Sequence, residues 1–285
     1  MDLPLEIVLI ILEQATDIDH SAWITHTARI SWIASLARLS RVVQPTINRI
    51  LYSSLTVSIS NVARLKELAS LHNNPLHLVR RVFFLTSSIR KFQVNSLGIL
   101  FAALSNIRDF AGSMQLFTAI ISVTPTPHLA SVFITIPFDT TQHIEPDALL
   151  SAPLLHFVIF DIAPEIRPTY PSATEHLIVD TYFAAKDELP DIFSQLSALL
   201  RDLPNLKRLL IRPRPEGNGS MDAFCEYIRD WSARICDERI WLDDLYVSLE
   251  EAYDEARVFR LDELDFLDVS LGHELWLSGR QLRVA

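Results

Sequence analysis

Leu203-Pro204-Asn205-Leu206-Lys207-Arg208-Leu209-Leu210-Ile211 is a proline-marked turn running straight into an apolar strand, and the chain repeats that phrase. It returns as Thr126-Pro127-His128 before Leu129-Ala130-Ser131-Val132-Phe133-Ile134, and as Ala152-Pro153 before Leu154-Leu155-His156-Phe157-Val158-Ile159. Fainter copies are Thr174-Glu175-His176-Leu177-Ile178-Val179 and Leu242-Asp243-Asp244-Leu245-Tyr246-Val247. Upstream, Val79-Arg80-Arg81-Val82-Phe83-Phe84-Leu85 reads as a further strand. Proline presets the turn with its fixed φ, and a short apolar run behind a turn signal favours a strand.

Aligning the fourth residue of each phrase gives Val82, Phe110, Val132, Phe157, Leu177, Leu209 and Leu245, at intervals of 20 to 36 residues. The intervals leave room for helices. Ser60 is placed to cap one carrying Val62, Leu65, Leu68 and Ala69 and closed by Asn73-Asn74-Pro75; Leu97 to Leu104 and Met114 to Ile121 read as two more. A strand plus a helix at this period predicts parallel strands in an α/β solenoid of the leucine-rich-repeat kind. One such unit cannot bury its apolar face alone, so neighbours stack to close the core. An ordinary α/β sandwich is the other architecture the pattern allows. The periods drift, and the asparagine or cysteine expected beyond each strand is not found, so the expected array is irregular.

Leu55-Thr56-Val57-Ser58-Ile59 alternates at the strand period and joins this region to a helical one before it. That region starts Leu3-Pro4-Leu5-Glu6-Ile7-Val8-Leu9-Ile10-Ile11-Leu12-Glu13. Pro4 suits a first helical turn, where its missing N–H loses nothing. Every position from Ile7 to Leu12 is apolar, more than a helix with one buried stripe requires. The excess calls for cover from the rest of the chain or from another protein. Trp32, Leu36, Leu39 and Val43 recur at helical spacing, Pro45 ends or kinks that segment, and a short helix from Thr46 to Leu51 follows.

The order L-P-x-E-I-x-x-x-I-L, then L-A-x-L-S-R, then I-L-Y-x-x-L, resembles an F-box of the kind found in fungal F-box proteins. The resemblance covers Leu3 to Leu55. It implies a three-helix module that docks on the small adaptor subunit of cullin-based ubiquitin ligases. Matched by position, it implies that Leu3, Pro4, Glu6, Ile7 and Ile11 form the adaptor-facing first helix, and that Leu36, Leu39 and Val42 are apolar adaptor-side positions of the later helix. The connection from Leu12 to Leu36 is longer than in compact members, and Val43-Gln44 stand where many carry a tryptophan. The region from residue 56 to 285 is similar to the irregular leucine-rich-repeat domains that follow F-boxes in fungal proteins.

A net charge of −10 argues against general nucleic-acid binding, which uses a basic face. The basic pairs Arg80-Arg81, Arg90-Lys91 and Lys207-Arg208, with Arg212 and Arg214, read as solvated strand ends and loops. No apolar run approaches the roughly 18 residues of a membrane-spanning helix, and the N-terminus lacks the basic start of a signal peptide. Cys225 and Cys236 lie too far apart along one expected helix to bridge each other, which fits a reducing compartment, cytosol or nucleus. Asn218-Gly219-Ser220 reads as a turn.

From Met221 onward acids recur: Asp222, Glu226 and Asp230 opposite Phe224, Tyr227, Ile228 and Trp231, then Glu250-Glu251, Asp254-Glu255 and Asp262 to Asp268. This reads as an acidic cap, residues 221–285, with a polar outer face. Six glycines form no phosphate-cradling loop, no nucleophile elbow is present, and the histidines lack the spacing of a zinc helix. Asp243 and Asp244 are paired carboxylates without a cleft legible in sequence.

The expectation is a non-enzymatic protein with no cofactor and no metal. By resemblance it is the substrate-recognition subunit of a cullin ubiquitin ligase, bridging the adaptor and a protein target, with neither nucleic acid nor membrane as partner. The alternative is a repeat scaffold whose F-box-like helices serve only as an N-terminal cap.

Overall fold

The structure, a computed structural model, describes residues 44–84, 94–124, 129–134, 149–159, 172–183, 189–215, 221–244 and 277–282. The positions matched to the adaptor-facing helices, Leu3, Pro4, Glu6, Ile7, Ile11, Leu36, Leu39 and Val42, lie outside the described residues. So do Arg90-Lys91, Asn218-Gly219-Ser220 and the acids between Leu245 and Trp276.

The described chain is α/β. Its helices are α1 (Gln44–Leu51), α2 (Val62–Ala69), α3 (Gly98–Ala103), α4 (Met114–Val123), α5 (Leu189–Asp202) and α6 (Met221–Ile235). Its strands are β1 (Ser54–Val57), β2 (Arg81–Phe84), β3 (Asp109–Gly112), β4 (Ser131–Ile134), β5 (Leu154–Ile159), β6 (His176–Phe183), β7 (Arg208–Pro215), β8 (Ile240–Leu242) and β9 (Arg280–Gln281). They form one sheet whose strand order is the order of the chain. β1 to β8 run parallel, and β9 closes the edge antiparallel to β8.

Side chains alternate across a strand, and alternate residues enter the same core: Val82 and Phe84, Val132 and Ile134, Leu155 and Phe157, Leu177 and Val179, Leu209 and Ile211, Ile240 and Leu242. Apolar residues of α2 to α6 complete that core, so these helices lie on one face of the sheet. Where a described helix joins two parallel strands, the chain crosses that face to reach the next position in the sheet. Aromatic contacts tie neighbouring units together: Phe84 meets Phe101 edge-on with centroids 6.2 Å apart, and Phe110 lies 5.3 Å from Phe117. Ser113 caps α4 by accepting a hydrogen bond from the Leu116 amide.

The units share a backbone device. The carbonyl just before a strand accepts two amides from the next unit: Ser53 takes Arg80 and Arg81, Arg80 takes Arg108 and Asp109, and Arg108 takes Ala130 and Ser131. Pro153 takes Glu175 and His176, and Glu175 takes Lys207 and Arg208. At the step into β5 the Ala130 carbonyl receives Leu154 alone, because Pro153 occupies the other position and has no N–H.

The register corrects two of the aligned positions. Val132 faces Leu155, not Phe157, and Leu209 faces Ile240, not Leu245. Pro153 lies in the carbonyl row itself, so it is no counterpart of Pro204, and the strand begins sooner after it. Asn61, not Ser60, precedes α2. Its side chain accepts from the Ser58 amide at 2.9 Å and donates to the Thr56 carbonyl at 2.8 Å. An asparagine beyond the first strand is therefore present, contrary to the sequence expectation. Two others act on the near side: Asn106 donates to the His77 carbonyl and Asn205 to the Ser172 carbonyl, equivalent bonds that stitch a turn to the one before. In α6, Phe224, Ile228 and Trp231 are buried as expected, whereas Tyr227 is exposed. Cys225 and Cys236 are both free thiols. No helix among the described residues is long and apolar enough to cross a membrane.

Candidate functional site

The face turned away from the helices carries the other half of each strand, and the register arranges it in rows. One row runs Arg81, Asp109, Ser131, Leu154, His176, Arg208; the next runs Phe83, Ala111, Phe133, His156, Ile178, Leu210, Trp241. Asp180 and Arg212 pair one step further along.

These rows hold a ladder of polar and charged groups. The His156 ring stacks on Phe133 with centroids 3.8 Å apart and planes 1° from parallel, and its Nε2 lies 2.7 Å from Asp180 Oδ2. The other Asp180 oxygen is 3.4 Å from Arg212 Nη1, and Arg212 Nε is 3.5 Å from Asp243 Oδ2. Ser278 Oγ donates to the same Asp243 oxygen at 3.1 Å. Arg208 lies 3.7 Å over the Trp241 ring and donates to the Ser278 carbonyl. On the other side of the face, Arg81 contacts Asp109 at 3.3 Å, and Ser131 Oγ donates to Asp109 at 2.7 Å.

His156, Asp180, Arg208 and Arg212 are buried. The expectation that Arg208 and Arg212 are solvated is therefore wrong. A buried charge is tolerated when an opposite charge meets it, and strand pairing delivers the partner from the neighbouring unit. Phe83, Phe133, Ile178 and Leu210 are buried as well, so the central row of this face is not presented to a large partner. Burial also holds the His176 imidazole and the Arg208 guanidinium below their ordinary values. The Lys207 ammonium, 2.6 Å from Glu175, pulls that carboxyl down.

What the face exposes is its edge at the strand starts. Ser54, Arg80, Arg81, Arg108 and Lys207 are exposed there, and Arg80 Nη1 donates to the Asn106 carbonyl at 3.1 Å. Arg80, Arg81 and Lys207 thus stand where the sequence reading put them. Asp243 and Asp244 diverge: the first engages Arg212 and Ser278, the second Arg229 at 3.2 Å and Arg280. Each carboxylate is committed to cations, an arrangement suited to holding the sheet edge rather than to acid–base work on a substrate. Among the described residues no group of three or more His, Cys, Asp and Glu is placed to hold a metal ion.

Sequence reasoning missed the ladder because its members lie 24 to 32 positions apart, with the look of ordinary polar alternates. The one available signal was chemical: Asp180 and Arg212, of opposite charge, each stand three places beyond the aligned residues Leu177 and Leu209. No protein-family model, no curated protein and no solved structure matches this chain.

Proposed function

We propose that this protein is a non-catalytic recognition subunit of a cullin-based ubiquitin ligase. Its F-box-like residues Leu3, Pro4, Glu6, Ile7, Ile11, Leu36, Leu39 and Val42 dock on the adaptor, and its sheet domain, an irregular leucine-rich-repeat-like solenoid, positions a protein target for ubiquitin transfer by other subunits. The observation that supports this reading is the chain-ordered parallel sheet, with helices on one face, that follows directly on the F-box-like stretch. Such a chain-ordered sheet builds a long scaffold from stacked units, suited to spanning and orienting partners.

With the central row buried, the reading puts target contact at the exposed strand-start edge, where Arg80, Arg81 and Arg108 stand at the starts of adjacent strands. The working compartment is cytosol or nucleus, where the ligases of this family act.

Affinity purification of the tagged full-length chain, followed by identification of what co-purifies, tests the reading. The expected result is adaptor and cullin in one eluate. Recovery of other proteins in stoichiometric amount, with neither ligase subunit, would overturn it in favour of a scaffold capped by its N-terminal helices.

A further inference from the structure

The segment Leu277–Leu282 lies antiparallel along β8, the strand at which the parallel order ends. Two residue pairs align it, Trp241 with Gln281 and Leu242 with Arg280, and the Leu282 amide donates to the Ile240 carbonyl at 3.0 Å. Arg280 and Gln281 are exposed, and Leu277 is 58% exposed. The rest of the grip comes from specific groups. Ser278 donates its hydroxyl to Asp243 and receives Arg208 on its carbonyl. Arg280 reaches Asp244, and the Gln281 amide donates to the Glu238 carbonyl at 2.7 Å. Between them Gly279 adopts φ +80°, and a β-carbon there would stand 2.7 Å from the Leu242 carbonyl oxygen and 2.8 Å from Leu210 Cδ1.

We propose that the β8 edge is a strand-addition site for an extended peptide, and that Leu277–Leu282 is its resident occupant. The occupant reveals what the site selects. Asp243 takes a hydroxyl, the tight passage over Leu210 and Leu242 admits only glycine, and Asp244 takes a cation. A partner therefore presents an extended small–glycine–basic segment, whose main chain pairs with β8 while its side chains meet the two aspartates. Charge favours such a partner, since the chain carries −10 overall.

Two paired positions hold this occupant, against eight between β6 and β7. The segment thus leaves the edge without opening the sheet behind it. Held in the same chain, it competes with any partner, which raises the affinity a partner must reach. The site needs only the sheet, and stands whether or not the chain belongs to a ligase.

The test uses the full-length chain carrying Gly279→Val and Arg280→Glu, and a labelled synthetic peptide of the sequence Leu277–Leu282. By fluorescence anisotropy the variant should bind the peptide about tenfold tighter than the parent, because its own segment no longer competes. A peptide with valine in place of the glycine should bind neither. Equal binding to parent and variant, or none to either, overturns the proposal. Hydrogen exchange on the parent decides the matter without any variant. Excess peptide should accelerate exchange of the Leu282 amide and leave that of Leu210 unchanged, and an unaltered Leu282 rate overturns the proposal.

Discussion

His176 shows how a single position senses its place in the sheet. It lies in the row between Leu154 and Arg208, and burial keeps its imidazole from taking up a proton as readily as in water. A base whose folded value is depressed gives stability that is complete above the unfolded value, about 6.5, and lost as pH falls below it. The parent should therefore lose more stability between pH 7.5 and 5.5 than a His176→Gln variant, measured as the shift in urea midpoint. An equal loss in the two proteins would mean that His176 titrates alike in the folded and unfolded chain.

Gly112 makes a packing claim at the same scale. A β-carbon there would lie 3.0 Å from Phe110 Cζ and 3.3 Å from Phe84 Cβ, inside the aromatic cluster. Gly112→Val should cost about 1–3 kcal/mol, the usual penalty for overfilling a packed core. Denaturant unfolding checks it. None of this was legible beforehand. In the sequence Gly112 is one of six scattered glycines, and Asn106 and Asn205 are ordinary turn residues until the preceding unit's carbonyl comes within reach.

Among elements, Arg239 ties the start of β8 to the end of α5. Arg239 donates to the Leu200 carbonyl at 2.8 Å and to the Leu203 carbonyl at 3.4 Å, satisfying acceptors at the C-terminal end of α5. The same guanidinium grips Asp237 at 2.6 Å and holds that carboxyl below its ordinary value. Arg239→Met should cost about 1–3 kcal/mol and speed amide exchange in the last turn of α5, while α4 stays protected. Uniform deprotection of both helices would show that Arg239 acts on the fold as a whole. Among the helices α4 was the most legible, within two residues of its apolar spacing, whereas α5 was not read from the sequence at all. Among the strands β8 was missed. Ile240-Trp241-Leu242 has no proline turn before it, and the stronger-looking Leu242 to Val247 drew the assignment away. The apolar run of β5 gave its strand but not its register, since every candidate position there is apolar except His156.

For the whole molecule, periodic strands imply a chain-ordered sheet, and the structure has one, with two units misaligned in the sequence reading and a second face far more buried and charged than the alternation suggested. The periodicity was legible because each unit must repeat its core residues. The ladder was not, because it is satisfied between units and leaves no mark within one. The proposed function divides the labour: the sheet would hold itself together, and the apolar N-terminal residues would be kept for a partner. Calorimetric titration of the purified adaptor into the full-length chain measures this most directly, beside a Leu3→Asp, Ile7→Asp double variant whose thermal unfolding is recorded in parallel. The account predicts saturable one-to-one binding by the parent, no binding by the variant, and a sheet that melts at the same temperature in both. A parent that binds no adaptor, or a variant whose sheet no longer folds, would contradict it.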